Sequence, residues 1–495
     1  MKGVELNKIM TREMGLEPVE SSGVKNGEKT RVNAIEKLKA NAKEQGSLLA
    51  VDVADAYLDH EEYLRDGLLT LRYWRGDWWK WDGRRYLEFS TDDLNAQVMG
   101  FLGRNNVTRG KANTRFARDV AANLQGTCNV DSSVEQPSWL FASGSRYAPN
   151  CISMENGILD LSALLKNEAD CLKPHSPDFF SSVAVPYAFD PKAGCPGWLS
   201  FLEQIQPDPQ VRQLLKEWFG YCLTYDTSLH KFMIFEGEGR NGKSVVCDVQ
   251  RALLGEDNVS GVPLEAFQDR FGLEPMRGKL ANIAEEVGNM EKVAEGVLKT
   301  FVGGGVITMD RKFRDPVTVR ATARLIFATN TRPRITDRSR GMWERLILVP
   351  FNVYIPKEKR ELELAKKFFG ELPGIFNWAI AGRFTLSERR RFIEPKVCIE
   401  ATEDYRVEAN PARAFLRERC EVREEAEIAT AELYSEYRQY CEKNGYKPLA
   451  QSQFGKEVSR WFRETTKQDG PKTTRPWVDG VRCQRYQGIG FQREE

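Results

Sequence analysis

The segment GEGRNGKS at residues 237–244 constrains the fold of this chain more than any other. An apolar run before it predicts a strand at 231–236, and the run after it predicts a helix as far as Gly255. Glycines between a strand and a helix let consecutive backbone N–H groups turn toward phosphate oxygens, and the helix N-terminus adds positive potential. The segment therefore predicts a phosphate-binding loop in an α/β core.

The loop fits the pattern G-x-x-x-x-G-K-S, which predicts ATP and Mg²⁺ as cofactors. Lys243 is expected to reach the β and γ phosphates, and the Ser244 hydroxyl is expected to bind Mg²⁺. The candidate nucleotide-binding residues are Gly237, Gly239, Asn241, Gly242, Lys243 and Ser244. The glycines also spell G-x-G-x-x-G, a dinucleotide pattern that needs an acid about 20 residues farther on. Glu256 and Asp257 stand there in a polar loop, and this alternative leaves the lysine and serine unexplained.

Further apolar runs predict three more strands, at 279–285, 324–329 and 345–350. Since helical patterns alternate with them, they predict a parallel sheet covered on both faces. The first run ends in Glu285 and Glu286, of which one can hold Mg²⁺ and the other can polarise the attacking water. Asn330, directly after the second run, can orient that water or sense the γ-phosphate.

Several arginines lie between Asn330 and the last predicted strand. An arginine beside a phosphoryl-transfer site can stabilise transition-state charge, either in its own subunit or from a neighbouring one. Arg332, Arg334 and Arg338 are interpreted as solvated loop residues, whereas the role of Arg340 is left open.

Together, strand–GxxxxGKS, a strand ending in Glu-Glu, and ATN-x-x-P…D…W-x-R-L…PF, all within residues 231–351, resemble a superfamily 3 helicase. The resemblance is to the group of phage and plasmid primase-helicases and of the poxvirus-type replicative NTPase. ENGILDL, PGWLSFLEQI and GIFNWAIAG resemble flanking parts of that group, so the resemblance covers roughly residues 60–490. It implies an AAA+-like core assembled into a ring, commonly a hexamer, with ATP sites between subunits.

The resemblance also implies roles for single residues. The implied catalytic residues are Lys243, Glu285, Glu286, Asn330 and Arg345, and the implied Mg²⁺ ligands are Ser244 and Glu285. Glu286 is the expected catalytic base and Asn330 the expected sensor. Arg345 matches an arginine finger that acts in trans. Glu344 departs from the pattern, because relatives often carry a second arginine there.

Two strand-like runs, at 306–310 and 316–321, flank a tip that contains Arg311, Lys312, Phe313 and Arg314. Cations suit backbone phosphates and an aromatic ring suits a sugar or base, so the tip is a candidate DNA contact. The family resemblance implies a DNA-tracking hairpin in the ring channel. The alternative is a solvent-facing hairpin whose charges only keep the protein soluble.

The C-terminal stretch is charge-segregated. Residues 445–493 carry ten Lys and Arg against four Asp and Glu, whereas the whole chain has a net charge of +1. A helix at 431–443, a turn, a helix at 451–464 and a β tail follow the order of a winged helix. Lys456, Arg460 and Arg463 on the second helix are expected to contact duplex DNA. The alternative is a small α+β module that contacts another subunit.

The expected fold is a P-loop, AAA+-like α/β ATPase core with an N-terminal α+β domain and a C-terminal winged-helix domain. The expected regions are a mobile arm with a short helix at 1–50, an N-terminal α+β domain at 51–195, the core with its leading helices at 196–355, a helical segment at 356–404 and the winged helix at 405–495. Hairpin turns are predicted at Asp82-Gly83 and Asn156-Gly157. Trp74, Trp78, Trp79 and Trp81 are interpreted as the core of a small sheet rather than a base-stacking platform.

Composition narrows the class of protein. Lys and Arg number 72 against 71 Asp and Glu, which excludes a uniformly basic nucleic-acid coat. The ten cysteines form no CxxC pair and have no histidine at ligand spacing, so reduced thiols are expected rather than zinc. No secretory signal and no apolar run of membrane-spanning length is seen. The protein is therefore expected in the cytoplasm, that of the host cell if phage-encoded, without a membrane partner.

The expected function is that of an ATP-dependent DNA helicase for replication of a phage, plasmid or integrated element, moving along single-stranded DNA as a ring. Expected partners are single- and double-stranded DNA and further copies of the chain. A separate primase or polymerase is a further candidate partner. The alternative is an origin-binding initiator or regulator that uses ATP as an assembly switch without processive unwinding. A P-loop kinase fits less well, because it explains neither Asn330 nor Arg345.

Overall fold

The computed structural model describes residues 27–44, 47–61, 63–65, 67–105, 113–141, 143–285, 295–333, 335, 340–478 and 481–492. Most of the predicted arm lies outside these residues, as do Glu286, Arg334 and Arg338. Among the described residues, every helix is too short or too polar to span a bilayer.

The N-terminal part combines helices with small antiparallel sheets. Its longer helices are α1 (Gly27–Glu44), α2 (Ala50–His60), α3 (Thr91–Arg104) and α4 (Thr114–Cys128). The Ser90 hydroxyl accepts a hydrogen bond from the Asp93 N–H, and the Asp93 carboxylate accepts one from the Ser90 N–H. This capping box explains why α3 begins directly after Ser90. The apolar faces of the four helices pack in one cluster with Leu71 and Trp78.

The first strands are β1 (Leu64–Arg65), β2 (Leu68–Leu69), β3 (Leu71–Trp74), β4 (Asp77–Trp81) and β5 (Tyr86–Phe89). The last three form an antiparallel sheet. The turn predicted at Asp82-Gly83 joins β4 to β5 and is confirmed, with the Asp82 carboxylate accepting two backbone N–H groups of the turn. Trp78 is completely buried, and Trp74 and Trp79 are 6% exposed, so the interpretation as a sheet core is confirmed for these three. Trp81 is half-buried against the same cluster as Trp74 and Trp79.

Two more antiparallel sheets follow, made of β6 (Ser138–Phe141), β7 (Gly144–Tyr147), β8 (Cys151–Met154), β9 (Gly157–Asp160), β10 (Leu172–Lys173) and β11 (Phe179–Phe180). β6 pairs with β7 and β11, whereas β9 pairs with β8 and β10. A short helix, α5 (Leu161–Leu165), follows β9. The second predicted hairpin is present, but Met154 pairs with Gly157, so the turn is Glu155-Asn156, one residue earlier than predicted.

Helices and strands alternate from residue 196 to 350. They are α6 (Pro196–Ile205), α7 (Pro209–Cys222), β12 (Phe232–Glu236), α8 (Lys243–Leu254), β13 (Val259–Ser260), β14 (Ala281–Glu285), α9 (Glu295–Val302), β15 (Val306–Arg311), β16 (Arg314–Arg320), β17 (Arg324–Thr329), α10 (Arg340–Trp343) and β18 (Leu346–Pro350). Five strands form the predicted parallel sheet, in the order β13-β14-β17-β12-β18. Met233 and Phe235 of β12 pack into one hydrophobic cluster and Phe232 and Ile234 into another, so both faces are covered.

Three helices follow the sheet: α11 (Leu364–Phe369), α12 (Leu372–Arg389) and α13 (Lys396–Glu408). Glycines let α7 and α12 approach closely, because a Cβ atom on Gly220 would lie 2.2 Å from the Ala379 carbonyl oxygen. The largest hydrophobic cluster contains residues from Ile152 to Cys398 and so crosses the region boundaries predicted at 195/196 and 355/356. The division into five regions stays a prediction.

The C-terminal part contains α14 (Pro411–Arg419), β19 (Cys420–Ala429), α15 (Thr430–Lys443), α16 (Gln451–Thr466), β20 (Thr473–Thr474), β21 (Trp477–Val478), β22 (Val481–Arg482) and β23 (Arg485–Phe491). The two predicted helices are present as α15 and α16. β23 lies between β19 and β20 in an antiparallel sheet. Tyr437 of α15 stacks on Phe454 of α16 with ring centroids 4.3 Å apart, at the centre of a separate hydrophobic cluster. The long strand β19 was not predicted.

Candidate functional site

Polar residues that follow three neighbouring strands meet at one edge of the parallel sheet. Glu236 at the end of β12 pairs with Thr329 at the end of β17, and Ala328 of β17 pairs with Glu285 at the end of β14. The carboxyl ends of these strands therefore lie side by side, which brings the glycine-rich loop, Glu285 and Asn330 together. In open α/β sheets, ligands bind in the crevice outside this edge.

The glycine-rich loop connects β12 to the first turn of α8. Gly239 and Gly242 have left-handed φ values of 95° and 86°, which glycine adopts without strain. A Cβ atom on Gly242 would lie 2.9 Å from Cγ2 of Ile205 and 3.1 Å from Cζ of Phe201. Both residues belong to α6, so the leading helix forms one wall of the loop. A Cβ atom on Gly237 would collide with the Asn241 side chain and the Phe351 carbonyl oxygen.

Lys243 begins α8 and is 6% exposed. Its ammonium group donates to the Gly237 carbonyl oxygen and, over 3.1 Å, to Oδ1 of Asn330. Burial lowers the pKa of Lys243 below its ordinary value. Lys243 and Asn330, predicted from separate motifs, are thus in direct contact.

Asn241 and Ser244 have different positions around the loop. Asn241 is buried and donates from Nδ2 to the Phe351 carbonyl oxygen over 3.0 Å, so it braces the loop against the segment after β18. Ser244 is exposed in the first turn of α8. It lines a cavity of about 560 Å³ together with Lys243, Glu285 and Asn330, a size typical of small-molecule sites.

Glu285 ends β14 and is held by an arginine that the sequence did not single out. Nη1 of Arg251 donates to Glu285 over 2.8 Å and to Asp248 over 3.2 Å, and Nη2 donates to the Ile283 carbonyl oxygen. Burial by itself would lower the pKa of Arg251, but its bond to Glu285 makes the net shift upward. Arg251 therefore fixes the carboxylate proposed for Mg²⁺. Glu286, the expected catalytic base, lies outside the described residues.

Arg345 lies at the opposite edge of the sheet from the loop. It directly precedes Leu346, which pairs with Phe232, the first residue of β12. Five residues of strand separate that level from the loop, or about 17 Å at 3.3 Å per residue. The Arg345 guanidinium donates to the Gly341 carbonyl oxygen, and its Nε atom has no hydrogen-bond partner among the described residues. Arg345 therefore does not join the loop of its own chain.

Arg332 was interpreted as a solvated loop residue, and this interpretation is wrong. Its guanidinium binds Glu236 through two hydrogen bonds, of 2.5 and 3.0 Å, and binds Glu408 over 3.0 Å. It also lies 5.6 Å from the ring centre of Tyr405. These partners are 73 or more positions away in sequence, so no local pattern reveals them. For Arg340, whose role was left open, the structure describes the backbone at the start of α10.

The predicted hairpin is formed by β15 and β16, but its tip contains two residues rather than four. Arg311 pairs with Arg314 across the strands, so both arginines belong to the strands and Lys312 and Phe313 form the turn. Phe313 is 93% exposed and has a φ of 62°, which is rare for a bulky residue. Arg311 is buried and binds Asp77 over 2.6 Å, whereas Arg314 binds Glu88 over 2.6 Å. Lys312 and Phe313 at the tip are exposed, and the paired Arg314 side chain is also 42% exposed.

The three cations predicted to face duplex DNA lie on α16. Lys456 and Arg463 are exposed, whereas Arg460 forms an ion pair of 2.8 Å with Glu457. One helical turn after Arg460, Glu464 binds Arg406 and Arg413 of α13 and α14 over 2.7 and 2.5 Å. The helix is thus held by its acids while two of the predicted cations remain accessible.

Comparison with known families matches three separate parts of the chain. Residues 57–207 match the family described as D5 N terminal like, residues 235–345 match a family of unknown function (DUF5906), and residues 409–468 match the RFX DNA-binding domain. The second match contains the loop, Glu285, Asn330 and Arg345, and the third contains α16.

Two viral proteins are similar to this chain. The "Putative helicase L207/L206" of Acanthamoeba polyphaga mimivirus is 22% identical over 427 residues, covering 74% of this chain and 43% of that protein. The "Putative helicase 184R" of Invertebrate iridescent virus 6 is 24% identical over 272 residues, covering 45% and 27%. The chain thus spans less than half the length of these relatives.

Among solved structures, the A form of the apo NrS-1 C-terminal region superposes with a TM-score of 0.49 at 14% identity. The superposition covers 85% of this chain and 96% of that one, and a likeness this distant carries no functional conclusion. The sequence matches, in contrast, agree with the resemblance that the loop and strand motifs indicated. They support the resemblance of this chain to the group of D5-like superfamily 3 helicases.

Proposed function

We propose that the chain is an ATP-dependent DNA helicase that serves the replication of a phage, plasmid or integrated element. The main support is that the glycine-rich loop, Glu285 and Asn330 converge at the carboxyl edge of the parallel sheet, around a cavity of nucleotide size. The names of the two viral relatives support the class of activity.

The residues at this edge fit ATP and Mg²⁺. Lys243 is a buried cation whose two hydrogen-bond partners are neutral oxygen atoms, so a phosphate oxygen can replace them with a gain in charge pairing. Ser244 and Glu285 would hold Mg²⁺, which neutralises charge on the phosphates when bound. Asn330 would hold the water or the γ-phosphate in position, and Arg251 would keep Glu285 oriented. Glu286 stays the expected catalytic base.

Arg345 is the proposed finger for the site of a neighbouring subunit. It lies at the edge of the sheet away from its own loop. When this edge of one subunit faces the loop edge of the next, the contact is head-to-tail, which is the geometry that closes a ring. A hexamer is the assembly that the family resemblance implies.

DNA contact is assigned to two surfaces. Lys312 and Phe313 offer a cation and an exposed ring at the hairpin tip, suited to the backbone and bases of a single strand. The C-terminal part has the helix–helix–strand order of a winged helix, and the match to the RFX DNA-binding domain supports duplex contact by Lys456 and Arg463, with Arg460 released from Glu457.

A second candidate is an origin-binding initiator or regulator that uses ATP as an assembly switch. The RFX match favours it, since an initiator has to bind its origin as duplex DNA. Forked duplexes with a 3′ or a 5′ tail separate the two functions, when the full chain is assayed with ATP and Mg²⁺ and its particle mass is measured alongside. ATP-dependent strand displacement supports the helicase. ATP-driven ring assembly on DNA without displacement supports the switch.

A further inference from the structure

The hairpin and the N-terminal sheet share one cluster of five charged residues. Its members are Asp77, Glu88, Arg277, Arg311 and Arg314. Asp77 opens β4 and Glu88 lies in β5, where it is directly opposite Trp79. Because residues two apart on a strand share a face, both carboxylates project from the same face of the sheet toward the hairpin.

The contacts in this cluster are close, and its members range from nearly buried, for Asp77 and Arg311, to 42% exposed, for Arg314. Asp77 binds Arg311 over 2.6 Å and Arg314 over 3.2 Å, and it lies 3.5 Å from Arg277. Glu88 binds Arg314 over 2.6 Å and also binds Arg277. The side chains of Asp77 and Arg311 are 5% and 6% exposed. Three cations therefore surround the two anions of this cluster.

Carboxylates and phosphates are recognised by arginine in the same way. The planar guanidinium presents paired N–H donors that fit two oxygen atoms of either group. Asp77 and Glu88 place four such oxygen atoms on one face, held by a rigid sheet. The two carboxylates therefore bind the arginine N–H donors that the phosphates of a nucleic-acid backbone would otherwise bind.

We propose that Arg277, Arg311 and Arg314 form a binding site for phosphates of the DNA backbone, and that Asp77 and Glu88 compete with DNA for it. The inference rests on the proposed function, because it needs the hairpin to contact DNA. It adds Arg277, which precedes β14 and lies outside the hairpin. The tip residues stay exposed while the arginines are held, so they make the first contact, and DNA phosphates then replace the two carboxylates.

The test uses a double variant of the full chain that carries both Asp77→Asn and Glu88→Gln, and compares it with the wild type. Binding of fluorescein-labelled oligo(dT) is followed by anisotropy across a series of salt concentrations. Removing the competitor should tighten binding about tenfold, within the usual range of coupling between ligands. The salt dependence should also steepen, by about 0.7 in the log–log slope for each phosphate that the freed arginines contact. Adding Arg277→Gln to the double variant should remove part of both gains.

Asp257→Asn is the matched control. It breaks the 2.6 Å ion pair between Asp257 and Arg85, which also joins the N-terminal sheet to the core but does not touch the hairpin. An equal gain in this control would overturn the inference, because loosening of the interface would then explain it. Unchanged affinity and slope in the double variant would overturn it as well.

Failure of the inference can be told apart from failure of the proposed function. If the wild type unwinds forked DNA but the double variant gains no affinity, only the competition is rejected. If neither protein binds DNA at any salt concentration, the proposed function is rejected with it. Should circular dichroism show that the double variant is unfolded, Glu88→Gln alone carries the same test. Glu88 is 24% exposed, and a gain of about threefold is expected from half of the competitor.

Discussion

Nζ of Lys243 lies 3.1 Å from Oδ1 of Asn330, which joins the first turn of α8 to the end of β17. The contact connects two motifs that are 87 positions apart in sequence. A change in the glycine-rich loop therefore directly affects the residue proposed to position the γ-phosphate or the attacking water.

Lys243→Ala should abolish ATP hydrolysis, with a loss of at least about 100-fold, because it removes the cation proposed to stabilise the transferred phosphate. DNA binding should survive, since the hairpin tip and α16 lie elsewhere. Phosphate release and oligonucleotide anisotropy measure the two properties. Lys396→Ala is the control, because Lys396 is 88% exposed on α13 and should leave hydrolysis unchanged. Retained hydrolysis in Lys243→Ala would refute the site.

Arg345→Ala should lower hydrolysis by about 10³-fold or more if the residue acts as an arginine finger. Mixing Arg345→Ala subunits with Lys243→Ala subunits should restore activity, because about a quarter of the interfaces in a random ring then combine an intact lysine with an intact arginine. Light scattering checks that the mixed ring forms. A formed mixed ring without recovery at any ratio would contradict sharing of the site.

Lys312→Ala combined with Phe313→Ala should lose the stimulation of hydrolysis by single-stranded DNA and keep the basal rate. The two side chains form the exposed tip and are remote from the loop. The salt slope of oligonucleotide binding should fall by about 0.7, the value for one phosphate contact. Normal stimulation in this variant would remove the tip from the DNA path.

Glu464→Gln should weaken the anchoring of α16 in a pH-dependent way. Burial by itself raises the pKa of Glu464, but Arg413 and Arg406 lower it below the ordinary value of 4.5. A lowered folded-state pKa stabilises the protein above about pH 4.5, and this contribution is lost as pH falls through the folded value. The variant should therefore lose about 1 kcal/mol of protection at pH 7 and progressively less below pH 4.5.

Hydrogen exchange of the α16 amides, corrected for intrinsic rates, measures this protection. Glu400→Gln is the control, because Glu400 is 60% exposed and pairs with Lys396 one helical turn away. Its effect should stay within about 0.5 kcal/mol at all pH values. A pH-independent loss in Glu464→Gln would show that packing rather than charge holds the helix.

Gly220→Ala should destabilise the protein by about 2 kcal/mol or more, because its Cβ atom would meet the Ala379 carbonyl oxygen at 2.2 Å. Calorimetry measures the shift of the unfolding midpoint. Gly103→Ala is the matched control in helix α3, where a Cβ atom meets nothing within 4 Å. That change should stabilise the helix by up to about 1 kcal/mol. Equal midpoints for the two variants would contradict the close packing of α7 and α12.

The central sheet could be predicted from sequence because its strands are short apolar runs bounded by turn residues. β17 appears at the predicted residues, and β12 differs by one residue. β19 escaped prediction, since its Glu- and Ala-rich sequence favours a helix and only pairing with β23 makes it a strand. The local sequence pattern therefore predicts a strand when the segment is buried on both faces. For other segments, tertiary pairing determines whether a strand forms.

The glycine-rich loop between β12 and α8 was predictable as a loop for the same reason, as its residues are contiguous. Arg251, Arg332 and Asp77 were not, because each acts through a partner more than 30 positions away. In a helical or loop sequence pattern, an arginine that holds a site residue in place cannot be distinguished from an arginine exposed to solvent. Only the tertiary structure shows which partners each arginine has.

The wall that α6 builds against Gly242 affects how this chain can be divided. By sequence match α6 belongs to the D5 N terminal-like region, which ends at residue 207, whereas the next matched region begins at 235. Yet Phe201 and Ile205 of that helix lie within 3.1 Å of where a Gly242 side chain would begin. If the chain were cut between the two matched regions, the second region would keep its candidate catalytic residues. It would lose the helix that packs against its glycine-rich loop. We therefore expect the smallest stable unit that contains the loop to include α6, and so to begin at or before Pro196.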